Sequence, residues 1–167
     1  MKLIKKMILL LVIIWLLVFG FPKFGVYAFL FDNKIYDEVT DNPKEIINDL
    51  DQLSPHTEKL AREFLKRCDE KGLAVKITET YRTQNRQDYL YAQGRAYEGL
   101  VVTWTKNSKH TMRRAFDIAK KGNDPYGDDK FFEQCAKIGK EIGLTPGYYF
   151  EEHQDKPHFE LNRWWLP

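Results

Sequence analysis

Two histidines and two aspartates in this chain are spaced for metal chemistry. His110 and Asp117 lie seven residues apart, separated by the turn-like Thr111-Met112-Arg113-Arg114. A hairpin, or a loop entering a strand, can bring both side chains to one point. Asp155 and His158 follow in Asp155-Lys156-Pro157-His158 near the C-terminus. Two histidines with one carboxylate are a usual ligand set for catalytic zinc, and three protein ligands leave a fourth position open. Such an ion brings the pKa of water down toward about 7. A carboxylate three residues from a ligand, as Asp155 is, can take a proton from the attacking water and return it to a leaving amine. Each residue alone also has an ordinary reading: a surface or hydrogen-bonded histidine, or an aspartate in the turn before Pro157. His56 reads as a solvent-facing residue at a helix start. His153 is a candidate for the wall of a cleft, and Glu151 and Glu152 rival Asp155 for the base role.

The elements that must carry these residues are legible in the hydrophobic pattern. Leu50, Leu53, Leu60, Phe64 and Leu65 recur at helical spacing. Ser54 can cap that helix with Pro55 in its first position, and Lys71-Gly72 closes it. Leu73–Thr78 reads as a strand and Thr83–Gly94 as a helix. Leu100–Thr105, rich in β-branched and aromatic residues, predicts a second strand. Ala115–Ala119 predicts a third, Phe131–Ile142 a helix ended by Gly143, and His158–Leu161 a short last strand. The pattern predicts an α+β domain with a small antiparallel sheet and flanking helices around the cleft.

The first 31 residues stand apart. Lys2, Lys5 and Lys6 precede an uninterrupted apolar run of 13 residues, Met7 to Phe19. This suits a secretory signal, with Val26-Tyr27-Ala28 as a possible cleavage site. An uncleaved membrane anchor and a buried hydrophobic helix are the alternatives. The run to Phe21 makes only about 22 Å of helix, and Pro22 and Lys23 interrupt its continuation to Phe31. The division expected is a signal or anchor over 1–31, a linker over 32–49 and a domain over 50–167. Four lysines and no acidic residue lie in the leader, so the rest of the chain carries −2 against +2 for the whole. The domain therefore has no basic excess that would suggest a nucleic-acid partner. Cys68 and Cys135 fall in helix-like apolar patterns and read as buried thiols, with a disulfide as the alternative in an exported protein.

Several separated motifs then agree in order and spacing. Ser108-x-His110-x6-Asp117 follows Val101-Val102-Thr103-Trp104 and precedes Asp155-Lys-Pro-His158-Phe-Glu-Leu. Together with Thr80–Arg95 and Lys137–Leu144, they resemble the zinc D-alanyl-D-alanine and L-alanyl-D-glutamate peptidases. These are the VanX- and VanY-like enzymes, with phage endolysins and cell-wall hydrolases among them. The resemblance covers about residues 50–162. It implies Zn2+ held by His110, Asp117 and His158, with Asp155 as general base and acid. It implies that Arg82 holds the polarised carbonyl oxygen or a substrate carboxylate, and that Ser108 and Tyr81 contact substrate. The implied partner is a peptidoglycan stem peptide. The implied protein is a monomer exported to the bacterial cell envelope, secreted or membrane-held through its N-terminal segment. The alternative is a wall-binding module that keeps the fold without cleaving. Two departures stand out: Arg113 where the family commonly has glycine, and Thr145-Pro146-Gly147-Tyr148 where it commonly has Trp-Gly-Gly.

Overall fold

A computed structural model describes residues 2–15 and 34–162. Lys2–Trp15 is an α-helix (α1) of 14 residues, about 21 Å long. No helix among the described residues is long and apolar enough to cross a membrane. The remainder of the expected leader, with the cleavage site at 26–28, lies outside the described residues.

Residues 36–162 form one compact unit. Its first helix, Pro55–Glu70 (α2), starts as the sequence predicts, with Ser54 extended at the cap and proline in the first turn. The Ser54 hydroxyl pairs with the Thr57 hydroxyl at 2.8 Å rather than with a backbone amide. Thr57, Ala61, Phe64 and Cys68 bury one stripe, while Glu58–Arg62 and Glu63–Arg67 pair along the exposed side. Leu50 and Leu53 share the apolar spacing but belong to a preceding 3-10 turn, Leu50–Gln52. Strand Val75–Glu79 (β1) and helix Gln84–Ala92 (α3), capped by the Thr83 hydroxyl, follow. Then come strand Ala115–Lys120 (β2), helix Asp129–Glu141 (α4), and the short strands Thr145–Pro146 (β3) and His158–Glu160 (β4). The sheet is antiparallel in the order β1-β2-β4-β3.

The expected strand at Leu100–Thr105 is absent, and the two-residue β3 makes up the four. Residues 100–105 have the right composition for a strand but no ladder partner. Side chains hold them instead: Gln87 Nε2 donates to Thr105 O at 2.6 Å, and Arg95 donates to Thr103 O at 3.2 Å. Leu100, Val102 and Trp104 consequently stand exposed. Residues 34–49 have no helix or strand, yet they are docked. Thr80 N and Oγ1 donate to Ile47 O and Asp49 O at 2.7 and 2.8 Å, and Arg86 donates to Pro43 O at 3.0 Å.

Strand alternation separates structure from chemistry. Phe116, Ile118 and Phe159 face the helices, where the rings of Phe64, Phe116 and Phe159 pack 4.7–5.6 Å apart. Gly139 lets α4 approach this cluster, since a Cβ there would lie 2.7 Å from the Phe159 ring. Cys68 and Cys135 are both free and fully buried in the core. The hydrogen bond between them, together with burial, pushes the Cys135 thiol up, so it stays protonated and unreactive. On the opposite face, register sets Glu79 beside Asp117 and Asp117 beside His158. One extra residue between Ile77 and Glu79 makes the bulge that brings Glu79 into this row.

Arg113 is where glycine would be expected on backbone grounds. It is left-handed, φ 59° and ψ 28°, closing the 3-10 turn Lys109–Met112. It is also the non-glycine residue with positive φ among the described residues. Contacts offset that strain. The guanidinium lies 3.9 Å from the Tyr36 ring and 3.7 Å from the Tyr81 ring, and donates to Gln52 O at 2.8 Å. Each such cation–π contact contributes about 0.5–2 kcal/mol, against about 1–3 kcal/mol for the backbone. Arg113→Gly relieves the backbone but frees Tyr36, whereas Arg113→Ala loses the contacts and keeps the strain. Thermal melts are expected to rank wild type above Arg113→Gly by about 1 kcal/mol, and Arg113→Ala lowest. An alanine variant as stable as the glycine variant would contradict this account.

Candidate metal centre

The three predicted ligands converge. His110 Nε2 and Asp117 Oδ1 are 3.2 Å apart, His110 Nε2 and His158 Nδ1 are 3.2 Å apart, and His158 Nδ1 and Asp117 Oδ1 are 3.1 Å apart. A tetrahedral zinc with bonds of about 2.0–2.1 Å places its donors roughly 3.3–3.4 Å from one another. The triangle therefore fits such an ion to within a few tenths of an ångström. Asp117 and His158 are opposed by sheet register, and His110 arrives from the 3-10 turn that Ser108 caps.

The outward ring nitrogens set the tautomers. His110 Nδ1 donates to Thr80 O at 2.6 Å, which leaves the Nε2 lone pair facing the triangle. His158 Nε2 faces Glu160 Oε2 at 3.2 Å, which leaves Nδ1 facing it. Glu160 is held in turn by Asn162 Nδ2 at 2.7 Å. Two lone pairs and a carboxylate oxygen so close repel unless a cation joins them. Burial works against charge on His158, but the carboxylates of Asp117 and Glu160 outweigh it and push its pKa up to about 10. Burial likewise opposes ionisation of Asp117, yet His110 and His158 hold its carboxyl well below the usual range. The surroundings favour positive charge at the triangle.

Neither Glu160 nor the Thr80 carbonyl was anticipated. The signal for Glu160 was its position two residues past His158, on the same face of a strand. Glu160→Gln is expected to weaken zinc binding by about 10–100-fold, read by competition against a chromogenic chelator. Unchanged affinity would show that the carboxylate does not orient the ring.

Asp155 lies at the mouth of this site. Its N–H donates to Gly147 O at 3.0 Å, and His158 N donates to Asp155 O at 3.1 Å. Gly147 is packed against this turn so closely that a Cβ would collide with the Asp155 carbonyl and come within 3.0 Å of His158 Cβ. The carboxyl of Asp155 reaches solvent, yet dense surroundings strip enough hydration to push its pKa up, and Asp117 adds repulsion. A raised carboxyl pKa suits a group that must both accept and donate a proton.

Arg82 is buried beneath the site. Its guanidinium pairs with Glu79, donates to Gln87 Oε1 at 2.7 Å and lies 3.6 Å from Asp117 Oδ2. Glu79 also accepts from Arg86 Nε at 2.5 Å. Arg82 thus lines the cleft from below while engaged with protein groups. Ser108 also lines it, its hydroxyl accepting from His110 N at 3.2 Å. Tyr81 is not among the lining residues, and its ring lies on the Arg113 guanidinium instead. His153 lines the cleft and stacks on Trp104, with centroids 4.1 Å apart. The cleft has a volume of about 650 Å³, with Val101, Val102 and Phe150 in its walls.

Residues 102–161 match the family described as D-alanyl-D-alanine carboxypeptidase. The matched stretch contains the three candidate ligands His110, Asp117 and His158, together with Asp155. The peptidoglycan L-alanyl-D-glutamate endopeptidase CwlK of Bacillus subtilis (strain 168) is 32% identical over 104 residues, 54% of this chain and 62% of that one. The chain thus spans about three fifths of that relative's length. The L-Ala D-Glu endopeptidase ChiX of Serratia marcescens superposes with a TM-score of 0.55 at 18% identity, over 75% of this chain and 96% of that one. A vancomycin-resistance D,D-pentapeptidase VanY from a VanB-type cassette, in complex with Zn(II), gives 0.52 at 14%, over 77% and 80%. Both share the fold.

Proposed function

We propose that the chain is a zinc-dependent peptidase of the cell envelope. Its substrate is the stem peptide of peptidoglycan, cut as a carboxypeptidase or as an L-alanyl-D-glutamate endopeptidase. The observation that carries this reading is the near-tetrahedral triangle of His110, Asp117 and His158, opening on a cleft with Asp155 at its mouth. His110, Asp117 and His158 would hold zinc, which when bound would supply an acidified water and polarise a carbonyl. Asp155 takes the proton of the attacking water and returns it to the departing amine. Arg82 and Glu79 hold the Asp117 carboxylate in register, and the guanidinium adds positive potential where the oxyanion develops. Ser108 fixes the His110 backbone. The names of CwlK, ChiX and VanY support the substrate class, and the lysine-led apolar leader supports an envelope location.

The test is turnover. Purified full-length protein is stripped with chelator, reloaded with zinc and incubated with muropeptides, whose fragments are weighed by mass spectrometry. Cleavage is expected to vanish on stripping and return on reloading. Cleavage indifferent to chelation would rule the reading out, and the fragment masses name the bond.

A further inference from the structure

The two permanent cations lining the cleft are Arg82 and Lys109. They differ in what holds them. Arg82 is buried and engaged with Glu79, Gln87 and Asp117. Turning it toward a ligand would leave Glu79 short of a partner in a poorly solvated place, which is costly. Lys109 is half-buried, and its ammonium has no hydrogen bond or ion pair among the described residues. Glu160 is near enough to feel its charge, but is itself paired with His158 and Asn162. Lys109 immediately precedes the ligand His110, in the turn Lys109–Met112 whose cap fixes the backbone. A flexible stem of four carbons with three donors can follow an anion beside the metal.

On the reading of the site as a zinc peptidase centre, we propose that Lys109 is the specificity residue for a substrate carboxylate. The group it receives sits on the α-carbon bearing the scissile nitrogen. Both bonds under consideration supply one. The C-terminal residue released by a carboxypeptidase carries its free α-carboxylate there. A D-glutamyl residue joined onward through its γ-carbon also keeps its α-carboxylate beside the nitrogen contributed to the L-alanyl bond. Amidation of that group removes the charge and leaves the shape nearly unchanged, so the cleft discriminates free acid from amide. Arg82, which the sequence motif suggests for this task, acts instead as a positioning residue behind Asp117.

The experiment compares two L-alanyl-γ-D-glutamyl-L-lysine peptides, one with the D-glutamyl α-carboxyl free and one with it as the carboxamide. Full-length zinc-loaded wild type, Lys109→Met and Lys109→Arg are assayed for kcat/KM. Affinities are measured by calorimetry in the Asp155→Asn background, with and without the same Lys109 changes. The free acid is expected to be preferred by at least about ten-fold, the usual effect of a charge-assisted hydrogen bond. Lys109→Met should reduce that preference below about two-fold, with Lys109→Arg restoring most of it. Equal affinity of the Lys109-bearing protein for the two peptides, or a preference that survives Lys109→Met, overturns the assignment. So does a Lys109→Met protein whose change is confined to weaker zinc binding, because Lys109 would then be only a counter-ion for Glu160. Discrimination in the affinities without turnover of either peptide supports the carboxylate site and rejects the L-alanyl-D-glutamate endopeptidase reading.

Discussion

Asp155→Asn is expected to lower kcat by about 10²–10⁴-fold while the protein keeps its zinc. The size follows from the role: an amide cannot accept the proton of the attacking water or return one to the amine. The retention of metal follows from the geometry, because the donor triangle is made by His110, Asp117 and His158 without Asp155. Folding should not suffer either. Burial and the neighbouring Asp117 both oppose the charge of Asp155, so neutralising it removes a repulsion. The backbone links of Asp155 to Gly147 and His158 do not depend on the carboxyl. Turnover, zinc content and melting temperature measured on one preparation check all three. A variant that loses its metal, or one that stays within about three-fold of wild type, would remove Asp155 from the proton path.

Glu79→Gln is expected to be the most destabilising single change near the site, by about 3–5 kcal/mol, or roughly 10–20 °C in melting temperature. Glu79 and its partners Arg82 and Arg86 each have side chains only 9% exposed. An amide there leaves two buried guanidinium groups facing one neutral oxygen. The pH dependence identifies the cause. Burial alone would raise the Glu79 pKa, but the two arginines lower it below the ordinary value. A lowered folded pKa means the stabilisation is complete above the unfolded value of about 4.3 and is lost as pH falls through the folded one. The gap between wild type and variant should therefore be widest near neutrality and close in acid. Denaturant titrations at several pH values measure it, and a gap that ignores pH would mean Glu79 acts by shape alone.

What the residues disclosed and what they hid follow from the range of the interactions. α2 and α4 were readable because an amphipathic helix writes its burial pattern into consecutive turns. That His110, Asp117 and His158 would converge was readable because few residue types suit a metal and their motifs keep the order of the family they resemble. The pairing of Asp117 with His158 was not readable, since it depends on a register 41 residues away. Glu79 was hidden for a related reason, because only the bulge in β1 brings it under the site. The Thr80 carbonyl has no side-chain signature at all. The segment 100–105 misled because β-branched composition describes what suits a strand, not whether a partner strand is present. Arg113 stood out as a departure from the family's usual glycine, but part of what offsets its left-handed backbone comes from Tyr36, 77 residues earlier, in what read as a linker.

The triangle also has a meaning for the chain as a polymer. His110 and His158 are 48 residues apart in sequence and 3.2 Å apart in space. An ion gripping both is a cross-link, and a loop of that length removes about 4 kcal/mol of freedom from the unfolded chain on the scale used for disulfides. With Cys68 and Cys135 both free thiols, no covalent staple does this work. The metal would then be the fastener as well as the reagent, and stripping it would loosen the chain as well as silence the site.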